Sequence, residues 1–319
     1  MTPALPPFPF LIGCGRSGTT LARALLDAHP ALAVPGESYF PIWLGRQIRR
    51  YQRQGTFDAR ILAGDLVGDP WFRRWQLPDD EVRAVLSEPG ITTFADALRR
   101  VYALYARHHG KARYGDKTPT FVLHVEALAR LFPEAVFVHI VRDGRDVALS
   151  LLEADWGPDR LDRAALHWRH HVERGRQAAG RIEPGRYREV RYEDLLDDPE
   201  GTARSLCDYL ALPFDAAMLD YAERAPALLR LLPDADEHQN LRLPPTKGLR
   251  DWRREMEPAD VATFEALAGD ALAALGYERR TPVPVTGAAR LVAVRAGLEW
   301  HLRQGARRLR TTAGRILGR

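Results

Sequence analysis

Cysteine, lysine and long uncharged segments are scarce in this 319-residue chain. Its two cysteines, Cys14 and Cys207, lie in no metal-binding or redox spacing, which excludes a disulfide scaffold and favours a reducing compartment. The longest uncharged run covers residues 1–15, fewer than the roughly 18 that a membrane-spanning helix needs. Its four prolines and the absence of a basic start are unlike a signal peptide. We therefore expect a cytoplasmic protein without a membrane span.

Positive charge is concentrated at the C-terminal end. Only three of the 46 basic residues are lysines, namely Lys111, Lys117 and Lys247. Residues 287–319 carry eight arginines and one glutamate, whereas the whole chain has a formal net charge of only +4. The remainder is therefore slightly acidic, which argues against a nucleic-acid-binding surface.

The C-terminal segment has the pattern of an amphipathic helix. Apolar residues recur there at steps of three and four, at Leu291, Val294, Leu298, Leu302, Leu309, Ala313 and Ile316. Most arginines fall on the other faces, as in helices that lie on anionic membranes, although Arg295 interrupts the apolar stripe and Trp300 falls on the polar side. We predict a basic helix over residues 281–319 that either contacts the inner membrane face or packs on its own domain or a second copy.

Short apolar runs alternate with helical patterns over residues 1–280. The runs at 8–13, 135–141 and 187–192 indicate buried strands, with helices between them. Residues 41–90 show weak periodicity and indicate an irregular, partly helical insertion that we expect on the acceptor side. Alternating strands and helices predict one α/β domain, a three-layer P-loop-like fold with a central parallel sheet flanked by helices.

The first strand leads into a glycine-rich turn and then a helix, an arrangement that presents backbone N–H groups to a phosphate. The spacing of Gly13 and Gly18 matches the P-loop, but Thr19 stands where a nucleoside triphosphatase has its lysine. This opposes a nucleoside or nucleotide kinase, and a turn without a ligand is the other alternative. We expect the turn to bind a smaller anion through Gly15, Arg16, Ser17, Gly18, Thr19 and Thr20.

A second candidate anion site follows the second strand. Arg142 stands at the carboxyl end of that strand, where open α/β sheets bind ligands, and Ser150 lies eight residues further along the predicted helix. Both side chains could contact one phosphate, with Asp143 capping the helix. The alternative is an ion pair of Arg142 with Asp143 or Asp146 and a solvent-facing Ser150.

Taken together, residues 16–20 (RSGTT) and 141–150 (VRDGRDVALS) resemble the sulfotransferases that use 3′-phosphoadenosine 5′-phosphosulfate (PAPS). In that family the first loop holds the 5′-phosphosulfate, and the Arg and Ser of the second block hold the 3′-phosphate. The resemblance therefore implies this role for Arg142 and Ser150. It also implies an EC 2.8.2-type enzyme that transfers a sulfuryl group to a glycan, lipid, tyrosyl or small-molecule hydroxyl.

Two further blocks follow in the family's order, so that the resemblance covers roughly residues 10–255. Residues 190–195 (VRYEDL) are similar to the segment whose tyrosine lies beside the adenine, which implies that role for Tyr192. Residues 246–253 (TKGLRDWR) are similar to the late segment that reaches the 3′-phosphate, which implies that Lys247 and Gly248 bind it.

The resemblance also implies catalytic roles. Glu37 is similar to the base of the tyrosylprotein and heparan branch, whereas the histidine of the cytosolic branch is absent because Pro119 follows Lys117 and Thr118. Lys117 would stabilise the bridging oxygen and Arg16 the sulfuryl or phosphate oxygens, with no metal required. The alternatives are a solvated or helix-capping Glu37 and a Lys117 that pairs with Asp116.

The remaining candidates are weaker. His167 and His171 are one helical turn apart, but the sequence offers no third metal ligand, so we expect them at the surface. Cys14 lies in the glycine-rich turn, where N–H groups would lower its pKa, and His139 alternates with apolar strand residues as a core histidine does. A non-catalytic membrane or partner adaptor, and a homodimer, stay open as alternatives.

Overall fold

The computed structural model describes residues 5–223 and 250–280. Lys247, Gly248 and the amphipathic helix predicted over residues 281–319 lie outside the described residues. Within the described ranges, no helix combines the length and apolar character needed to cross a bilayer.

The strands of the described residues are β1 (Phe8–Gly13), β2 (Leu32–Ala33), β3 (Gln52–Arg53), β4 (Thr56–Phe57), β5 (Arg113–Tyr114), β6 (Asp116–Lys117), β7 (Ala135–Val141) and β8 (Tyr187–Arg191). The α-helices are α1 (Thr19–Asp27), α2 (Phe40–Gly45), α3 (Ala59–Gly68), α4 (Asp79–Val85), α5 (Phe94–His108), α6 (Val125–Leu131), α7 (Gly144–Glu153), α8 (Leu161–Ala179), α9 (Tyr192–Asp197), α10 (Pro199–Tyr209), α11 (Trp252–Glu255) and α12 (Pro258–Ala274). Short 3₁₀ helices lie at Ile48–Tyr51, Phe72–Trp75, Pro119–Leu123 and Ala216–Met218.

The described residues form two compact units. The first, which we call the sheet unit, comprises residues 5–13, 18–141 and 174–223. The second, which we call the loop unit, comprises residues 14–17, 142–173 and 250–280. The glycine-rich turn is therefore divided between the units: residues 14–17 belong to the loop unit, and Gly13 and Gly18 belong to the sheet unit.

A four-stranded parallel sheet in the order β6-β1-β7-β8 forms the centre of the sheet unit. Phe10 pairs with Phe137 on one face of the sheet, whereas Leu11 pairs with Val138 on the other. Both faces are covered by separate apolar clusters that include residues of the surrounding helices, which is why β1 and β7 are continuously apolar. The expected α/β fold with a central parallel sheet flanked by helices is confirmed.

Residues 41–90 contain α3, α4, the β3–β4 hairpin, most of α2 and two 3₁₀ helices, as the weak periodicity indicated. Their packing depends on aromatic rings. Phe40 and Trp75 have ring centroids 5.2 Å apart, and Trp75 lies 5.0 Å from Tyr102 of α5. Elements of 2–10 residues held by a few large side chains leave little periodic signal in the sequence.

Two local predictions differ from the structure. The strand predicted over residues 187–192 ends at Arg191, because Tyr192 begins α9. Asp116 and Lys117, for which the sequence predicted no strand, form β6 and pair in parallel with Phe10 and Leu11 of β1. A two-residue strand has no recognisable period, so its assignment depends on the neighbouring strand.

Candidate functional site

Distant motif residues meet in the loop unit. Arg16 donates from Nε to Oγ of Ser150 at 2.9 Å, although the two are 134 positions apart. Arg142 donates from Nη1 to the backbone oxygen of Arg16 at 3.5 Å. The structure thus brings together three residues that the sequence assigned to phosphate binding, and Ser150 is buried rather than solvent-facing. The alternative ion pair of Arg142 with Asp146 is also present, at 3.7 Å.

Residues 14–17 form a tight turn. Arg16 has a φ of +70°, and the backbone N–H of Ser17 donates to the oxygen of Cys14 at 3.2 Å. A Cβ on Gly15 would lie 2.9 Å from the ring of Trp156. The hydroxyl of Ser17 is buried and has no hydrogen-bond partner among the described residues. Such a group is costly to bury without a partner, so it is suited to a bound oxygen.

A buried ionic cluster holds the segment that follows Arg142. Arg145 donates to both carboxylate oxygens of Asp143, at 2.9 and 2.7 Å, and to Oε1 of Glu265 at 2.7 Å. The indole N–H of Trp252 donates to Oδ2 of Asp143 at 3.0 Å, and its ring lies 3.5 Å from the Arg145 guanidinium carbon. Asp143 also caps α7 by accepting from the backbone of Arg145, as predicted. Glu265 lies outside every motif block, and Trp252 falls in the block of residues 246–253 without a role assigned to it, since both lie more than 100 positions from their partners.

Trp168 fixes the backbone of Arg142. Its indole N–H donates to the Arg142 carbonyl at 3.2 Å. Its ring approaches Gly144 so closely that a Cβ there would lie 2.5 Å from it. Close packing therefore requires glycine at position 144. Trp168 also fixes the position of the Arg142 backbone.

In the sheet unit, Gly18 turns the chain into α1. Its φ is +92°, a value that favours glycine, and a Cβ there would collide with the ring of Tyr192. Thr19 and Thr20 are buried in the first turn of α1, and no side chain caps this helix. The first N–H groups and the helix dipole make such an end attractive to an anion. Tyr192, at the start of α9, packs against Gly18.

Glu37 and Lys117 form an ion pair in the sheet unit. Lys117 donates from Nζ to Oε1 of Glu37 at 3.0 Å, and Tyr39 donates from Oη to Oε2 at 2.5 Å. The lysine side chain is 2% exposed and the glutamate 22%, so the carboxylate is the solvent-facing partner. Burial and the Glu37 charge raise the pKa of Tyr39, which keeps its hydroxyl protonated as a donor. Sequence reasoning did not identify Tyr39.

Asp116 is held by its own partners. It accepts from Oη of Tyr102 at 2.6 Å, and burial raises its pKa to about 6, against the lowering effects of its hydrogen bonds and of the Lys117 charge. The predicted alternative, in which Lys117 pairs only with Asp116, does not account for the hydrogen bond that Lys117 donates to Glu37. The backbone of Ser38 donates to Oγ1 of Thr118 at 2.9 Å, which ties the Glu37 segment to the end of β6.

Two predictions for the weaker candidates are wrong. The two histidines do not both lie at the surface, because His171 is buried and His167 is half-exposed. Burial raises the pKa of the Cys14 thiol instead of lowering it. His139 is fully buried, as expected of a core histidine, and shares a 2.6 Å hydrogen bond between Nδ1 and Oη of Tyr187.

Residues 7–216 match the model of the Sulfotransferase family. The chain belongs to the sulfotransferase family. It is 28% identical over 297 residues to protein-tyrosine sulfotransferase 1 of Danio rerio, covering 88% of this chain and 75% of the relative. It is 27% identical over 301 residues to the nodulation protein NoeE of Sinorhizobium fredii, covering 86% and 67%.

Among solved structures, the sulfotransferase domain of the Synechococcus PCC 7002 olefin synthase is similar with a TM-score of 0.49 and 20% identity, covering 94% of this chain and 98% of that domain. The family match, which extends from β1 beyond α10, confirms the expected enzyme class, a PAPS-dependent sulfotransferase of the EC 2.8.2 type. This sulfotransferase is accordingly neither a kinase nor a non-catalytic adaptor.

Proposed function

We propose that this sulfotransferase transfers the sulfuryl group of PAPS to a hydroxyl acceptor by in-line displacement, with Glu37 as the base. The observation that carries the proposal is the meeting of Arg16, Arg142 and Ser150 in the loop unit. Two guanidinium groups and a hydroxyl from opposite ends of two motifs form the donor set that a phosphate or sulfate prefers.

The phosphate-binding roles are assigned residue by residue. Arg142 and Ser150 bind the 3′-phosphate, and Arg16 binds sulfuryl or 5′-phosphate oxygens. The unpartnered hydroxyl of Ser17 fits an anionic substrate, because it gains a hydrogen bond on binding without losing one. Further donors are the uncapped amides that begin α1, beside Thr19 and Thr20. Lys247 and Gly248 are proposed to add to the 3′-phosphate site, and they lie outside the described residues.

The transfer itself needs a base and a cation. As the acceptor oxygen bonds to sulfur, its proton passes to the Glu37 carboxylate, and the bond between sulfur and the bridging phosphate oxygen breaks. Lys117 stabilises the negative charge that the departing phosphate oxygen gains. Because Lys117 now donates to Glu37 at 3.0 Å, this bond has to open when the substrates bind. The products are the sulfated acceptor and adenosine 3′,5′-bisphosphate (PAP).

The surroundings of Glu37 favour an acceptor with an apolar or aromatic group beside its hydroxyl. The ring of Tyr39, which donates to Glu37, lies 4.5 Å from the ring of Trp71, and both rings are half-buried. The Arg74 guanidinium carbon lies 4.1 Å from the Trp71 ring centroid. An aryl ring could pack on these aromatic faces or over the Arg74 guanidinium group.

The proposal is tested by nucleotide binding and by transfer. We expect PAP to raise the Tm of the wild-type chain and labelled PAPS to sulfate aryl hydroxyls better than alkyl or sugar hydroxyls in a mixed panel. Arg142→Ala should remove most of the PAP-induced shift. Arg163→Ala, which alters a surface ion pair with Asp159 in the same unit, should keep it. No shift with millimolar PAP, or an unchanged shift in Arg142→Ala, would contradict the assignment.

A further inference from the structure

Three soft metal-binding side chains meet in the loop unit, apart from the residues assigned to transfer. The Sγ atom of Cys14 and one ring nitrogen each of His167 and His171 lie within 4.8 Å of one another. The two histidines are four positions apart on α8 and so share one face of that helix. The third member comes from the glycine-rich turn, which is why sequence spacing alone missed it.

The hydrogen bond of the His171 ring indicates which of its nitrogens carries the proton. Its Nδ1 lies 2.7 Å from the backbone oxygen of His167. A carbonyl oxygen can only accept, so Nδ1 carries the hydrogen and Nε2 carries the lone pair. Metal-binding histidines characteristically donate their other N–H to a carbonyl or carboxylate in this way, which fixes the tautomer and the ring orientation. The two imidazole centroids lie 4.2 Å apart, close enough for both rings to reach one ion.

The cluster is also sheltered. Cys14 and His171 are buried and His167 is half-exposed, so an ion would be enclosed on the protein side and open on one side. One thiolate and two imidazoles are the ligand set of zinc-type ions, and an open fourth position suits water. Hard cations such as Mg²⁺ prefer oxygen ligands, which this cluster does not supply.

We propose that Cys14, His167 and His171 bind one Zn²⁺ ion, with a fourth position open to solvent. Binding replaces the thiol proton, which is released to water, by a sulfur–metal bond. The ion joins the turn to α8 two residues before Arg16. It therefore acts as a clamp on the turn and takes no part in the sulfuryl transfer, so the proposal stands independently of the function proposed above.

The test uses the full chain, treated with a chelator and titrated with Co²⁺ as a spectroscopic probe for Zn²⁺. We expect one equivalent to bind with a thiolate-to-metal absorption band and tetrahedral d–d bands, and Zn²⁺ to displace it. Cys14→Ser should lose the thiolate band, and His167→Ala or His171→Ala should weaken binding by more than the roughly 10–100-fold that loss of an outer partner costs. His170→Ala and Cys207→Ser are the matched controls and should bind as wild type does.

A second readout is thermal stability. Zn²⁺ at about 100 times its Kd should raise the wild-type Tm by about 5 °C, and Cys14→Ser should show no such rise while keeping the metal-free Tm near that of the wild type. If Cys14→Ser does not fold, the single histidine variants decide the question by the same shift. A hydrogen-bonded Cys–His contact that binds no metal would give no band and no shift. That result, or a thiolate band that persists in Cys14→Ser, would overturn the proposal.

Discussion

At the scale of the residue, the Glu37 carboxylate is the group whose chemistry is most closely constrained. One of its oxygens accepts from Lys117 and the other from Tyr39, so its orientation is fixed from both sides. The segment that carries it is joined to β6 by the bond between Ser38 and Thr118. The proposed base is thus held in one orientation in the resting chain, and its bond to Lys117 has to open before Glu37 can take a proton from an acceptor.

Replacing this carboxylate by an amide separates catalysis from binding. We expect Glu37→Gln to lower the turnover with PAPS and an acceptor by roughly 10²–10⁴-fold, because an amide cannot take the acceptor's proton. The Tm shift caused by PAP should persist. Glu88→Gln, which changes an exposed ion pair with Arg100, is the control and should turn over normally. Unchanged turnover in Glu37→Gln would remove the assignment of Glu37 as the base.

The buried carboxyl group of Asp116 makes the free energy of unfolding depend on pH, in a direction that can be predicted. Burial raises its pKa from 3.8 to about 6, so the folded chain binds a proton more tightly than the unfolded chain. The stability that this proton contributes is fully present below about pH 4. It is lost as the pH rises to about 6, by about 3 kcal/mol in total.

Asp116→Asn removes that titration and keeps an acceptor for Tyr102. The free energy of unfolding of the variant relative to the wild type should therefore increase between pH 4 and pH 6 and level off above. Denaturant unfolding at a series of pH values measures this difference, in which other titrating groups cancel. A difference that does not change with pH would show that Asp116 keeps its ordinary pKa.

At the scale of the element, the start of α7 depends on a buried ionic cluster. Arg145 is fully buried and satisfies both Asp143 and Glu265, and Trp252 covers its guanidinium group. Removing one member of such a cluster leaves the others charged and unpaired. The stability of α7, the helix that carries Ser150, therefore depends on Trp252 and Glu265, which lie far away in the sequence.

The expected effect is large. Arg145→Met should lower the free energy of unfolding by about 3–5 kcal/mol, because two buried carboxylates lose their partner. Adding Glu265→Gln should restore part of this loss. Arg204→Met, which removes an exposed pair with Glu200, should change stability by less than about 1 kcal/mol. Urea unfolding measures all three, and equal effects of Arg145→Met and Arg204→Met would contradict this account of the cluster.

At this scale, the sequence predicts the features that depend on a few neighbouring residues and not those that depend on distant ones. The strands β1 and β7 and the capping by Asp143 were predicted, because an apolar run and a cap residue act within a few positions. β6 was not predicted, since a two-residue strand is defined by the neighbour it pairs with. The motif blocks identified Arg16, Arg142 and Ser150. Contacts that join distant segments, such as those of Trp168 and Glu265, leave no mark in the local pattern.

At the scale of the whole molecule, the family match and the predicted basic helix occupy different parts of the chain. The match ends at residue 216, whereas the eight arginines of the C-terminal segment begin at 290. The charge that gives the chain its pI of 9.2 is therefore outside the matched region. That residues 1–280 bind the nucleotide and residues 281–319 contact a membrane or a protein stays a prediction from the sequence.

This division predicts the behaviour of a truncated chain. Removal of residues 281–319 should leave the PAP-induced Tm shift unchanged and abolish sedimentation with vesicles that contain anionic lipid, because about 1 kcal/mol of attraction is lost with each arginine near such a surface. Full-length chain mixed with neutral vesicles is the control. Failure of the full-length chain to sediment with anionic vesicles would contradict the membrane prediction and favour the alternative of packing on protein, for which size-exclusion chromatography distinguishes a dimer from a monomer.

The two hydrogen bonds that Glu37 accepts have a consequence for PAPS that is bound when no acceptor is present. In the proposed mechanism, a lone water molecule meets a carboxylate that already accepts one hydrogen bond on each oxygen, from Lys117 and from Tyr39. Displacing either donor takes binding energy, which a large acceptor brings and water lacks. With Glu37 as the proposed base, we expect this resting arrangement to slow the hydrolysis of bound PAPS, and weakening it should raise the rate at which sulfate is released into solution.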